Sequence, residues 1–219
     1  MTLKLYAHPL SSYCHKVIIA FHENDIPFEL KLVGDPTNTD PAVAAEFKKL
    51  WPIGKFPVLK DEARDWFVPE STTIIEYLAR YYPGKTKLVP EDVDFARRIR
   101  MGDRFYDLYV HNVMQELMAD RRRPEGQKRP DDVASAKQRL TTVLDMIEAE
   151  AGAKPWAMGD TYTMADCAAS PALFYGHIAM PFDKTHPNVF AYRQRLMERP
   201  SYARALKEAE PYFKLLPKG

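Results

Sequence analysis

The sequence predicts two fold classes in series, an α/β domain followed by an all-α domain. Strand-like alternation and helix-like apolar stripes interchange as far as Tyr82, and no strand pattern recurs after Pro90. Apolar residues make up 46% of the 219 residues and charged residues 28%, a balance that fills two cores and argues against disorder.

The elements follow in order. Leu3-Lys4-Leu5-Tyr6 alternates like a strand that His8-Pro9 ends. Val17, Ile18, Ala20 and Phe21 form a helical stripe that runs out near Asn24-Asp25. Phe28 to Val33 alternates again, which makes a βαβ unit with parallel strands. A looser segment from Gly34 to Pro41 leads to a short helix, Ala42 to Leu50. Val58-Leu59 and Trp66-Phe67-Val68 read as strands on either side of the charged turn Lys60-Asp61-Glu62. Ser71 to Tyr82 is helical, with Ile74, Ile75 and Leu78 on one face and Pro83-Gly84 as its stop. The order βαβαββα is close to the thioredoxin-like arrangement. A linker, 83–90, separates this domain, 1–82, from the helical one, 91–219. There Glu91 to Asp120 reads as one long helix, and Asp131 to Ala151 as a second. Helices beginning at Thr163, Asn188 and Ser201 complete a bundle.

Several function classes are excluded. The 31 Lys+Arg and 30 Asp+Glu leave a net charge of +1, and neither half is a polycation, so nucleic-acid binding has no electrostatic support. No uncharged run reaches the ~20 residues that span a bilayer. The nearest, Cys167 to Phe182, is interrupted by Pro171, Gly176 and His177 and reads as a buried helix and its exit. The N-terminus lacks the apolar core of a signal peptide. Cys14 and Cys167 build no disulfide framework and no zinc site, so a cytosolic, reducing compartment is the default. His15 and His22 share a helix face two turns apart, too far for one metal, and no metal is expected. The absence of any GxG triplet removes the dinucleotide fingerprint and the P-loop.

Three local features of the first domain carry chemistry. Ser11-Ser12-Tyr13-Cys14 lies between the first strand and the first helix, where hydroxyls meet unpaired N–H groups and the positive end of the helix dipole. Phe56-Pro57 enters a strand with a residue that cannot donate to the ladder. If that bond is cis, the Phe56 backbone faces outward and can pair with an extended peptide. Glu70-Ser71 precedes a helix, with Ser71 as the expected N-cap. The free N–H groups suit a carboxylate and Glu70 suits an ammonium group, which matches the zwitterionic end of an amino acid.

These segments describe a slot for a short peptide with a thiol-sized group near Ser11, and the chain resembles the cytosolic glutathione transferase family over nearly its whole length. Ser11 to Val17 is similar to the family's serine-type active-site segment. It also resembles the glutaredoxin Cys-Pro-Tyr-Cys sequence with Ser11 at its leading cysteine. Gly54 to Leu59 is similar to the cis-proline segment, with Phe56 where valine or isoleucine is usual. Glu70-Ser71 matches the pair that holds the γ-glutamyl group. Gly159 to Asp166 resembles the bundle signature, in which Thr163 and Asp166 form a structural capping box.

The resemblance implies glutathione as co-substrate, its thiol activated by Ser11 with Ser12 as runner-up. Phe56 and Pro57 would pair the peptide, Glu70 and Ser71 hold its γ-glutamyl end, and Lys55 reach its glycyl carboxylate. It implies a cytoplasmic homodimer that attacks small electrophiles, with detoxification as its setting. The electrophile pocket is expected in the cleft between the domains, with Phe105, Tyr106, Tyr109 and Met114 as candidates on the long helix. Arg121-Arg122-Arg123 reads as a solvated loop neutralised by nearby carboxylates, and Cys14 as a half-buried small residue. Two rival functions use the same fold: a glutathione-dependent disulfide reductase or isomerase, and a non-catalytic binding protein.

Overall fold

Four short strands form one mixed sheet in the order β2-β1-β3-β4 in the computed structural model of the protein, which describes residues 2–35 and 37–217. Pro36 of the expected loop, and Met1 and Gly219 as the outer limits of the expected domains, lie outside the described residues. β1 (Leu3–Ala7) pairs in parallel with β2 (Glu29–Leu32), as the connecting helix α1 (Ser12–Glu23) requires. β3 (Val58–Asp61) is antiparallel to β1 and to β4 (Trp66–Pro69). α2 (Pro41–Leu50) opens on Asp40, whose carboxylate accepts the Ala42 N–H at 2.7 Å, and α3 (Ser71–Tyr81) follows β4. Tyr6, Val33, Phe47 and Val58 pack together, with Tyr6 and Phe47 stacked at 5.8 Å between ring centroids.

The chain divides into two units. One comprises the residues up to Val89 together with Pro200–Phe213; the other comprises Pro90–Arg199 and the residues from Lys214 on. The expected helical domain therefore loses its last helix, α9 (Pro200–Ala209), to the first unit. Long-range contacts set this assignment, and local pattern does not report them. The Ser201 hydroxyl donates to Glu23 at 2.7 Å, His22 Nε2 meets a Glu208 carboxylate oxygen at 3.0 Å, and the fully buried Tyr202 ring stands edge-on to His15 at 5.9 Å.

In the second unit the expected long helix is three segments. α4 (Val93–Phe105) passes into a π-helical turn, Tyr106–His111, and then into α5 (Asn112–Arg122). α6 (Pro130–Ala151), α7 (Met164–Ala179) and α8 (Pro187–Glu198) complete it. α7 runs unbroken through Pro171 and Gly176, and the box at its start is formed as expected. Asp166 accepts from the Thr163 N–H at 2.8 Å and from the Thr163 hydroxyl at 3.2 Å. The same carboxylate accepts the Ala157 N–H at 2.8 Å and the Tyr192 hydroxyl at 2.7 Å, tying three separate segments to one buried group. Arg121 is a clamp, not a solvated loop residue: its guanidinium donates to the Ile178 and Ala179 carbonyls at 3.1 and 2.8 Å, at the C-terminus of α7. Among the described residues no helix is long and apolar enough to cross a membrane.

Candidate functional site

The sheet register brings the three chemistry-bearing segments of the first unit to one edge. Tyr6 of β1 is opposite Val58 of β3, and Val58 is opposite Pro69 of β4. The end of β1, the start of β3 and the end of β4 therefore emerge side by side. Ser11, Phe56-Pro57 and Glu70-Ser71 each follow or precede one of those ends by a few residues. Strands ~4.8 Å apart place three such segments across about 10 Å. A three-residue extended peptide has about that length.

Ser11 occupies the N-cap position of α1 with extended backbone, φ −74° and ψ 123°, and its side chain does not cap the helix. Its N–H donates to the His8 carbonyl at 2.9 Å, and its own carbonyl accepts the His15 N–H at 2.9 Å. The turn is thus fixed through backbone while the half-buried hydroxyl stays at the positive end of the helix. Ser12 is the first helical residue and is buried. Cys14 is fully buried, not half-buried, because it faces the core one turn into α1. Burial pushes its thiol up to about 12, against hydrogen bonds to the Ser11 side chain and the His8 backbone.

The Phe56–Pro57 peptide is cis. Pro57 is buried, Phe56 half-buried, and Lys55 exposed. Beneath Phe56 lies Gly34 at φ +81°, where an added Cβ would stand 2.6 Å from the ring. Only glycine allows that approach and that backbone. At α3 the expectation needs a correction: Glu70 holds the N-cap position and Ser71 is the first helical residue. The helix begins one residue earlier than a Ser71 cap implies, at Ser71 itself, because Glu70, at φ 70° and ψ 126°, is the last residue outside the helical region. Its carboxyl group is exposed beside the buried Ser71, which opens the first turn of α3.

Sequence reasoning missed Lys16. It is 1% exposed, and its ammonium donates to the Thr72 hydroxyl at 2.8 Å, joining α1 to the first turn of α3. It binds together the two helices whose N-termini define the edge. The signal available was a lysine directly before the apolar stretch Val17 to Phe21, inside the Ser11 to Val17 segment.

In the second unit the four aromatic and methionine candidates do not all line one pocket. Phe105 and Tyr106 line a pocket of about 270 Å³ with Phe95, Met146, Trp156 and Tyr192 among the other walls. Tyr109 and Met114 are not in that lining: Tyr109 is 55% exposed and Met114 is buried. The Phe105 ring still meets both neighbouring rings, Tyr106 at 5.6 Å and Tyr109 at 5.7 Å between centroids. Thr163 and Asp166 are fully buried in the capping box, a structural arrangement. Burial holds the Asp166 carboxyl above the usual range, against its hydrogen bonds to Ala157, Tyr192 and Thr163. Among the described residues no three His, Cys, Asp or Glu side chains gather as a metal site would require.

Comparison with known proteins agrees with this geometry. Residues 5–86 match the family described as "Glutathione S-transferase, N-terminal domain", and residues 105–200 match "Glutathione S-transferase, C-terminal domain". The chain is 30% identical over 158 residues to a glutathione S-transferase-like protein, LUC7, of Fusarium sp, covering 70% of each chain. A solved glutathione S-transferase of Methylobacterium radiotolerans, in complex with glutathione sulfonate, is 27% identical. It superposes with a TM-score of 0.76 over 93% of each chain. The glutathione transferase URE2P8 of Phanerochaete chrysosporium, solved with oxidized glutathione, shares the fold at a TM-score of 0.84 and 23% identity, over 97% of each chain. The family match spans the unit that bears the Ser11 edge and most of the helical unit, and the chain belongs to the glutathione S-transferase family.

Proposed function

We propose that the protein ionises the thiol of glutathione and directs the resulting thiolate at a small electrophile. Family membership supports glutathione-dependent chemistry, and the shared sheet edge is the observation that carries the finer reading. Glu70 takes the ammonium of the γ-glutamyl end, and Ser71 with the first-turn N–H groups of α3 takes its carboxylate. The Phe56 backbone pairs with the middle of the peptide beside Pro57. Lys55, exposed at the same edge, takes the glycyl carboxylate.

That arrangement presents the thiol to the Ser11 hydroxyl. Moving a thiol from about 8.5 to about 6.5 needs ~2.7 kcal/mol. A hydrogen bond donated to a charged sulfur supplies about 1.5–3 kcal/mol, and the α1 dipole about 0.3–1 kcal/mol more. The sulfur–carbon bond then forms as the carbon–leaving-group bond breaks, the electron pair departing with the leaving group. Ser11 is preferred to Ser12 because it lies half-buried at the N-cap with its hydroxyl not used to cap α1, whereas Ser12 is buried. The fully buried Cys14, its thiol held near 12, favours this reading over disulfide chemistry routed through a protein thiolate. We further propose a cytoplasmic homodimer. The exposure of Ile53 (66%) and Trp66 (51%) supports an apolar contact with a second copy.

The test is a pH titration of bound glutathione, followed by thiolate ultraviolet absorbance, in the wild type and in Ser11→Ala. The expected result is ionisation about 2 pH units below the free thiol in the wild type, with at least half of that displacement lost in the variant. Tight binding with no displacement would overturn Ser11 as activator and favour disulfide exchange. No binding at all would favour a non-catalytic role.

A further inference from the structure

The pocket of the second unit has three walls, one of which the buried Asp166 holds in place. On α4, Phe95, Arg98, Met101 and Phe105 recur at helical spacing along one stripe and form the first wall. Met146, Ile147 and Glu150, near the end of α6, form the second. The third is the loop that carries Trp156 and Met158. Trp156 and Gly159 exchange backbone hydrogen bonds at 3.0 and 3.1 Å, and the Ala157 N–H donates to Asp166 at 2.8 Å, so this loop is fixed in shape. Gly102 lets it approach α4, since an added Cβ there would stand 2.9 Å from the Met158 sulfur. Every lining residue belongs to the second unit, and the pocket is complete within it.

The walls decide what fits. Phe95, Phe105 and Trp156, each half-buried, offer ring surface. Tyr192 offers its ring as well, because its hydroxyl is committed to Asp166 at 2.7 Å. Met101, Met146 and Met158 adapt to the outline of a guest. The volume of about 270 Å³ exceeds the ~150 Å³ that holds one benzene ring, and it suits two fused rings. Two cations, Arg98 and Lys154, and one carboxylate, Glu150, stand exposed among the lining residues. The Arg98 guanidinium lies 5.4 Å from the centre of the Phe95 ring, so positive charge borders the aromatic wall itself. We infer that this pocket binds a planar bicyclic aromatic carboxylate, its rings on the aromatic walls and its charge at Arg98 and Lys154. A neutral bicycle gains the walls alone, and a cationic one meets two basic side chains. Binding there requires neither glutathione nor Ser11, because no lining residue lies in the unit that carries Ser11.

The experiment is calorimetric titration of the intact protein with 2-naphthoate, 2-naphthamide and 2-naphthylmethylammonium. The naphthoate is expected to bind with a Kd on the order of 100 μM. It should bind about fivefold more tightly than the amide, and the ammonium should bind least. Arg98→Glu and Lys154→Glu, both at exposed positions, should each erase that preference while leaving the affinity for the amide within about twofold. Met146→Trp fills the pocket from an exposed helical position and should weaken all three probes by at least about tenfold. Equal affinities in the wild type would overturn the choice of an acid, and tightest binding of the ammonium would give the pocket to a cation instead. Naphthoate binding unchanged by all three substitutions would place it elsewhere on the protein and overturn the site, as would no binding of any probe. Competitive displacement of naphthoate by S-(2,4-dinitrophenyl)glutathione would make the pocket part of the glutathione reaction, which also overturns a separate site.

Discussion

Glu70 holds a backbone conformation that its residue type disfavours. At φ 70° it pays a steric cost of about 1–3 kcal/mol that glycine would avoid. Asp25 and Asp65 also have positive φ, at 52° and 46°, but both lie in turns, where aspartate tolerates it. Glutamate has no such local excuse, and its strain coincides with the position proposed to hold an ammonium group. Stability and binding should therefore separate at this residue. Glu70→Gly is expected to leave stability unchanged or raise it by up to about 1 kcal/mol, and to weaken binding of S-methylglutathione by at least about tenfold. Glu70→Ala, which keeps the Cβ and loses the carboxylate, should weaken binding equally with no gain in stability. Thermal unfolding and calorimetric titration of the same samples check both halves. A Glu70→Gly protein that binds normally would remove Glu70 from the site.

At the scale of the element, α1 shows how burial reshapes a helix face read only from spacing. His15 is fully buried, donates from Nε2 to the Pro9 carbonyl and meets the edge of Tyr202. Burial pushes it down to about 4, the bond to Pro9 opposing. An unfolded histidine titrates near 6.5, so the folded state binds fewer protons between those values. The stability that His15 contributes is complete above pH ~6.5, falls as the pH drops, and is gone below about 4. Its size is on the order of 3 kcal/mol. His15→Gln keeps a donor without a charge that titrates. It should be less stable than the wild type at pH 7.5, yet lose less stability between pH 6.5 and 4 in urea titrations; parallel curves would assign the acid limb to other groups. The strands and helices themselves were legible, because each buries one face and its apolar spacing says so. Ser-Ser, Phe-Pro and Glu-Ser were legible as site segments because their chemistry is local. Three features were not. The start of α3 depends on the φ of Glu70, which no neighbour announces. The π-helical turn leaves no mark in the sequence, where Phe105, Tyr109 and Val113 keep ordinary helical spacing across it. Lys16 reads as polar surface until α3 is known to cover it.

At the scale of the whole molecule, the first unit is assembled from both ends of the chain. The amphipathic pattern of α9 announces a buried face but does not name the surface that buries it, and so the sequence placed it with its neighbours in the helical domain. The partner is α1, and the joint is substantial: Tyr202 and Ala209 are fully buried, Ala205 is 1% exposed, and Ser201 satisfies a carboxylate oxygen of the buried Glu23. Removing one large buried aromatic side chain costs about 3–5 kcal/mol. A small domain has only about 5–15 kcal/mol in total. Glu23 would keep the Thr86 hydroxyl at 2.7 Å on one oxygen and leave the other without Ser201, and the His15 ring would lose its cover. Residues 1–89 alone therefore contain every strand among the described residues and every proposed glutathione contact, and are still expected not to fold cooperatively. The fragment should show poorly dispersed amide resonances and a broad urea transition, and a peptide of residues 200–217 added in trans should restore both. Cooperative unfolding of 1–89 at the midpoint of the intact chain would reduce α9 to a passenger. Restoration by the peptide would show that the site depends on contacts between residues more than a hundred positions apart, a distance at which reading neighbour by neighbour carries no signal.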